Sequence, residues 1–261
     1  MKTLILRVIL ATLILGNYIH HKSDEATFNE LLETDNKSDE DVVKSAVHTT
    51  HTILSDFRKY SNQYSQGSLQ STFYPYTFEN LVKGRKACGH FSIFLARVLN
   101  SKGYKTQIVQ QTINKIHGAH ITLQVIINND RDTLLVDPLF NHLFLNGKGS
   151  PLSAYKVSQN WDSFAHVLPK DYPTEYNYKE GFEYSNWDKL GPLSSLIKKI
   201  LSVIVSPQFT ENFSIRIYIM DSYKNYMIIC LLILTFTFVS NPISNVVAKL
   251  TSKNRGKSQS I

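Results

Sequence analysis

The chain has 261 residues, 43% of them hydrophobic, with 14 Tyr and 14 Phe. That is enough for one sizeable domain with appendages and ample aromatic packing. The formal net charge is +7, but Lys249, Lys253, Arg255 and Lys257 gather part of it beside an apolar run; this points to a membrane flank rather than nucleic acid, for which no binding motif is present. The two cysteines, Cys88 and Cys230, are too few for a disulfide scaffold, and with Cys230 inside the apolar run no bridge is expected.

Lys2 and Arg7 precede an apolar run from Val8 to Leu15, shorter than the about 20 residues of a spanning helix. Residues 1–22 therefore predict a signal peptide or an uncleaved signal-anchor. Residues 23–38 are polar and acidic and predict a solvated linker or a marginal helix. Ser38-Asp39-Glu40-Asp41 has the form of a capping box, and Val42, Val43, Ala46, Val47, Ile53, Leu54 and Phe57 follow at helical spacing. His48 and His51 on this helix lack further ligands, so they read as solvated and no metal is expected. The aromatic stretch Phe73-Tyr74-Pro75-Tyr76-Thr77-Phe78 either lines a cleft or plugs the domain from below.

After Cys88, apolar residues fall at Phe91, Phe94, Leu95, Val98 and Leu99, which places the cysteine at a helix N-terminus. The partial positive charge there favours a thiolate. Gly103 closes the helix. Lys105–Ile113 predicts a strand and 114–118 a turn that contains His117. From Ala119 to Ile127 residues alternate, with Ile121, Leu123 and Val125 on one face and His120, Thr122 and Gln124 on the other. A turn at 128–132 returns the chain as Thr133–Val136, ended by Asp137-Pro138. Centred between Asn128 and Asn129, that turn sets His120 directly opposite Asp137. Cys88, His120 and Asp137 thus offer a nucleophile, a base and an orienting carboxylate.

Further along, 157–168 predicts a short helix containing His166, 193–204 an amphipathic helix for a membrane surface or the domain, and 213–220 a strand. Tyr226–Ala248 is uncharged and long enough to span, with Ser240-Asn241-Pro242 as an interruption. The basic residues at both ends place the termini in the cytoplasm and the domain outside.

Three stretches resemble the transglutaminase-like (papain-like cysteine) superfamily. Gly84-Arg85-Lys86-Ala87-Cys88-Gly89-His90-Phe91, with Leu95-Ala96-Arg97-Val98-Leu99 and Gly103-Tyr104, is similar to its cysteine helix. Gly118-Ala119-His120-Ile121-Thr122-Leu123-Gln124-Val125 is similar to its histidine strand, and Leu135-Val136-Asp137-Pro138 to its aspartate strand. The stretch departs from the family in having Ile121-Thr122-Leu123-Gln124 after the histidine and no evident glutamine or tryptophan before Cys88 as an oxyanion donor.

The resemblance implies an α+β domain, a cysteine helix packed on an antiparallel sheet, with terminal membrane segments. It also implies catalytic Cys88, His120 and Asp137 acting on a peptide or protein substrate without a cofactor, by hydrolysis more than cross-linking. A non-catalytic module of the same fold, binding a protein or polysaccharide, is the alternative. The expected domain occupies 39–192, with core motifs in 80–142. A juxtamembrane region (193–225), a transmembrane helix (226–248) and a basic cytoplasmic tail (249–261) follow.

Overall fold

The computed structural model describes residues 2–58, 72–84, 87–129, 131–185, 194–204 and 213–257. Arg85 and Lys86 of the cysteine motif lie outside them, as does Leu193 at the start of the amphipathic stretch. The chain forms two units: Met1–Ser23 with Ser222–Ile261, and Asp24–Asp221.

The elements in chain order are α1 (Lys2–Glu30), α2 (Asp39–Arg58), α3 (Phe78–Lys83), α4 (Cys88–Ser101), β1 (Lys105–Ile113), β2 (Ile116–Ile127), β3 (Asp132–Asp137), β4 (His142–Leu143), α5 (Ala154–Gln159), α6 (Trp161–Phe164), β5 (Phe182–Glu183), α7 (Ser194–Ile204), α8 (Ile215–Ile219) and α9 (Ser222–Lys257). The domain is α+β. Its five strands form one antiparallel sheet in the order β4-β3-β2-β1-β5.

Alternation along the strands builds two cores, one on each face. Ile108, Leu123, Val125, Leu134 and Val136 face α4, α2 and α3, where Phe91, Phe94, Leu95, Val98 and Leu99 supply the helical stripe. Val109 and Leu135 face the other way, onto Phe144, Trp161, Tyr172 and Tyr178. A sheet covered on both faces explains why Gln111, His120, Thr122 and Gln124, polar on one side of β1 and β2, are nonetheless buried. Two of them have aromatic hydroxyl partners: Thr122 pairs with Tyr178 (2.8 Å) and Gln124 donates to Tyr184 (3.2 Å).

The Ser38 half of the capping box forms. Ser38 Oγ accepts from Asp41 N–H (3.2 Å) and donates to the Asp41 carboxylate (2.7 Å). Gly103 adopts φ 86°, the left-handed geometry that closes α4. Other expectations change. Residues 23–38 are no solvated linker: α1 continues to Glu30, and Phe28 and Leu32 are buried in the main core. Tyr76 and Phe78 pack on that core, Phe78 against Phe28 and Phe94, so this aromatic stretch acts chiefly as a plug. Residues 157–168 break into α5, α6 and a 3-10 turn at Ala165–Val167. Residues 213–220 form α8 instead of a strand. The edge of β1 there is closed by a side chain, with Ser214 Oγ accepting from Ile108 N–H (3.0 Å). This segment belongs to the domain unit, and Met220 is buried in its core.

In the other unit α1 over Thr3–Glu30 and α9 over Ser222–Ser240 are long and apolar enough to cross a membrane. They run antiparallel, Arg7 meeting Thr237 and His20 stacking on Tyr223. Arg7, a charge within the apolar stretch, donates to the Thr237 carbonyl (2.7 Å) and lies over the Phe238 ring (3.8 Å). Ser240-Asn241-Pro242 does not interrupt α9, which is helical through it.

Candidate functional site

Cys88 is the first residue of α4. Its N-cap, Ala87, makes no side-chain hydrogen bond; His90 N–H turns back to the Ala87 carbonyl (2.9 Å), and Gly89 N–H faces the Cys88 sulfur. The approach to α4 is tight. A Cβ on Gly84 would stand 2.8 Å from the Asn80 carbonyl oxygen and 3.0 Å from His90 Nε2, which leaves glycine as the residue that fits. One turn beyond Cys88, Ser92 Oγ donates a buried hydrogen bond to the Ile121 carbonyl (2.9 Å). Gly89 lets Ile121 close in, since a Cβ there would be 3.3 Å from Ile121 Cδ1. The helix carrying Cys88 is thereby fixed to β2 at the residue next to His120.

His120 Nε2 and Asp137 Oδ2 are 2.6 Å apart, both side chains fully buried. The expected direct opposition does not occur. The ladder pairs Ile127 with Asp132 and ends at Leu123 with Val136, so the next step along sets Asp137 beside Thr122. The loop is the cause. Asn128 and Asn129 both take left-handed backbone (φ 53° and 55°), and Arg131 N–H closes on the Asn128 carbonyl, moving the turn centre one residue on. That displaces the pairing by two residues, which keeps every side chain on its face, and Asp137 reaches His120 along the diagonal.

The carboxylate is held at both oxygens. Oδ2 also accepts from the Tyr172 hydroxyl (3.0 Å), and Oδ1 from Leu139 N–H (3.1 Å). Burial, then the Asp137 charge, push the Tyr172 hydroxyl well above its ordinary pKa, so it stays a donor. Tyr176 stacks on the His120 ring at 4.0 Å with an interplanar angle of 14°, and Phe140 and Tyr172 flank it.

The second nitrogen, Nδ1, is buried and makes no hydrogen bond of ordinary geometry among the described residues. Its contact with Cys88 is looser than that, yet each group shifts the other. Burial pushes the Cys88 thiol up, but the neighbouring imidazole and the backbone N–H groups of Ile121 and Gly89 outweigh it, and the net shift is downward. Burial works against a charged His120 ring, but the charge and hydrogen bond of Asp137, with Cys88, raise it to about 9. These are the shifts of a thiolate–imidazolium pair.

Of the other histidines, His142 pairs across from Asp137 on β4, while His117, His51, His48 and His166 do not join the Cys88–His120 contact. His117 lies within β2, not in a turn: the hairpin turn is the two-residue Asn114-Lys115, both left-handed. It pairs across from Thr112, is exposed, and contacts Thr112 Oγ1 (3.1 Å). His51 is not solvated; it bonds the Pro138 carbonyl (3.2 Å) and packs near Phe91. His48 and His166 are exposed. Among the described residues no three His, Cys, Asp or Glu side chains gather as a metal site. Sequence reasoning missed Ser92, Tyr172 and Tyr176. The tyrosines' only mark is their density around 172–178, and a serine inside an apolar helical run carries none.

No family model, curated protein or solved structure matches the chain.

Proposed function

We propose that this is a membrane-anchored thiol enzyme of transglutaminase-like fold that transfers acyl groups from peptide or amide bonds, with hydrolysis the main outcome. The observation that carries the proposal is the buried His120–Asp137 pair at 2.6 Å with Cys88 on its open side. The order of elements agrees with the resemblance: a cysteine helix, then antiparallel strands bearing the histidine on the second and the aspartate on the third. The Cys88 thiolate attacks the acyl carbon. The oxyanion is met by N–H groups at the start of α4, Gly89 among them. As the C–N bond breaks, His120 gives its proton to the departing amine and a thioester remains. Water then attacks that thioester, yields its proton to His120, and the thiolate leaves with the acid formed. Asp137 holds the ring throughout, and Tyr172 holds Asp137. In this proposal the two apolar helices anchor the domain, and the basic residues at both ends favour its lying outside the cytoplasm.

Alkylation of Cys88 by iodoacetamide across pH tests the activated nucleophile. The native chain is expected to react at a rate that stays high well below the ordinary thiol pKa of about 8.5. His120→Ala is expected to react only as pH rises through that value. Equal profiles for the two proteins refute the reading.

A further inference from the structure

Beside Gly89, the residue that follows the proposed nucleophile, stands a cation that the reaction above does not use. Arg216, on α8, points its Nη1 to 3.8 Å from where a Cβ on Gly89 would be, next to Cys88. It is half-buried, and its guanidinium makes no hydrogen bond or ion pair among the described residues. The backbone beneath it is well anchored. Ser214 bonds Ile108 N–H, Ser185 Oγ accepts from Ile215 N–H (2.9 Å), Ile217 packs on the main core and Met220 is buried in it. The one carboxylate at the triad, Asp137, is fully buried and already bonded to His120, Tyr172 and Leu139, so it is not a counterion for Arg216. In the sequence Arg85 and Lys86 add two cations just before Cys88. A planar guanidinium held open to solvent without a partner suits a carboxylate, which it can bind through two parallel hydrogen bonds.

We propose that Arg216 is the specificity residue of this site, and that it binds a carboxylate of the substrate close to the reacting carbonyl. This rests on the thiol acyl-transfer reading. The carboxylate is that of an acidic side chain or of a peptide C-terminus. It positions the acyl group over Cys88 and takes no part in bond making.

Charge-selective alkylation of the full-length protein in detergent tests this. The rates of Cys88 with anionic iodoacetate and neutral iodoacetamide are compared, with the same ratio for a small free thiol as reference. A guanidinium that holds the reagent's carboxylate at this site should favour iodoacetate by about tenfold, the factor that corresponds to about 1.4 kcal/mol. The native ratio should exceed the reference by that factor. R216Q should bring it to the reference while leaving the iodoacetamide rate within about twofold, and R216K should retain it. A native ratio equal to the reference, or a preference that survives R216Q and vanishes only in R85Q/K86Q, overturns the proposal.

Failure of the thiol reading shows separately, as an iodoacetamide rate no faster than the free thiol at neutral pH. Protection from iodoacetamide then identifies the source. A blocked tripeptide amide with a central glutamate reports a side-chain carboxylate, and a blocked neutral tripeptide with a free C-terminus reports a terminal one. Protection of the native protein by neither at millimolar concentration also overturns the proposal.

Discussion

His120 has a partner on each side, the Asp137 carboxylate at Nε2 and the Cys88 sulfur towards Nδ1, and the carboxylate is the one it cannot lose. Its raised pKa has a definite consequence for stability. The folded value of about 9 lies above the ordinary value of about 6.5, so the charged ring stabilises the fold fully below about 6.5, and that contribution fades as pH rises through about 9. Asp137→Asn removes the charge and leaves one amide oxygen where two carboxylate oxygens served His120, the Tyr172 hydroxyl and Leu139 N–H. We expect it to destabilise the protein by on the order of 3 kcal/mol near neutral pH. The gap to native should narrow as pH rises through about 9, and Cys88 alkylation should move to higher pH. Denaturant melts at several pH values check the first, and a pH-independent gap contradicts it. The participants were legible in the sequence because alternation put His120 on the polar face and an even slip of register preserves faces. The exact pairing was not, since it turned on whether Asn128 and Asn129 form the whole turn or its first half.

At the scale of the element, the site depends on how α4 meets β2. The periodicity of Phe91, Phe94, Leu95, Val98 and Leu99 made the helix and its start readable. What docks it is less visible: Ser92, whose hydroxyl is buried against the Ile121 carbonyl, and Gly84, where the backbone turns without room for a Cβ. Ser92→Ala leaves that carbonyl buried without its partner, a cost of about 1–3 kcal/mol. If Ser92 also positions Cys88, the pH at which iodoacetamide begins to label Cys88 rises in this variant. Ser92→Cys, which keeps a weak donor, should fall between. A lower melting temperature with the labelling profile of the native protein would leave Ser92 with a packing role only. Segment 213–220 shows the opposite case. Ile215, Ile217 and Ile219 alternate as in a strand, but a strand needs a ladder, and at Ile108 the edge of β1 is taken by the Ser214 side chain, so the short run winds into α8.

For the whole molecule, the boundary residues of the domain are the informative ones. Asp24 and Asp221, its first and last residues, both bind Arg97 of α4, at 2.7 and 3.3 Å, and the guanidinium lies 4.9 Å over the Phe28 ring. One side chain inside the cysteine helix thus closes the domain on the two segments that lead to the apolar helices. Arg97→Met takes the shared cation from two largely buried carboxylates and should cost on the order of 3–5 kcal/mol. Arg97→Lys should recover little, because an ammonium lacks the fork that reaches both acids. Thermal unfolding checks this, and a melting temperature within a degree or so of native for Arg97→Met would remove the clamp from the account. Nothing in the sequence set Arg97 apart from other helix arginines, since its partners lie 73 positions before it and far beyond it in the chain.

The antiparallel pairing of α1 and α9 carries the last prediction. Ser23 and Ser222, which lead into the domain, are at one end of the pair, and the start of α1 and the later turns of α9 are away from it. Lys2 and Arg7 flank the start of α1, and Lys249, Lys253, Arg255 and Lys257 follow the apolar part of α9. Both flanks are basic, and the proposed orientation puts both on the cytoplasmic side, following the positive-inside rule. A reporter that works only in the cytoplasm should therefore be active when fused at either end and silent when inserted in the exposed 147–150 loop of the domain. Because the helices pair antiparallel, the two ends must agree: activity at one end only breaks the pairing, and activity in the loop alone reverses the orientation.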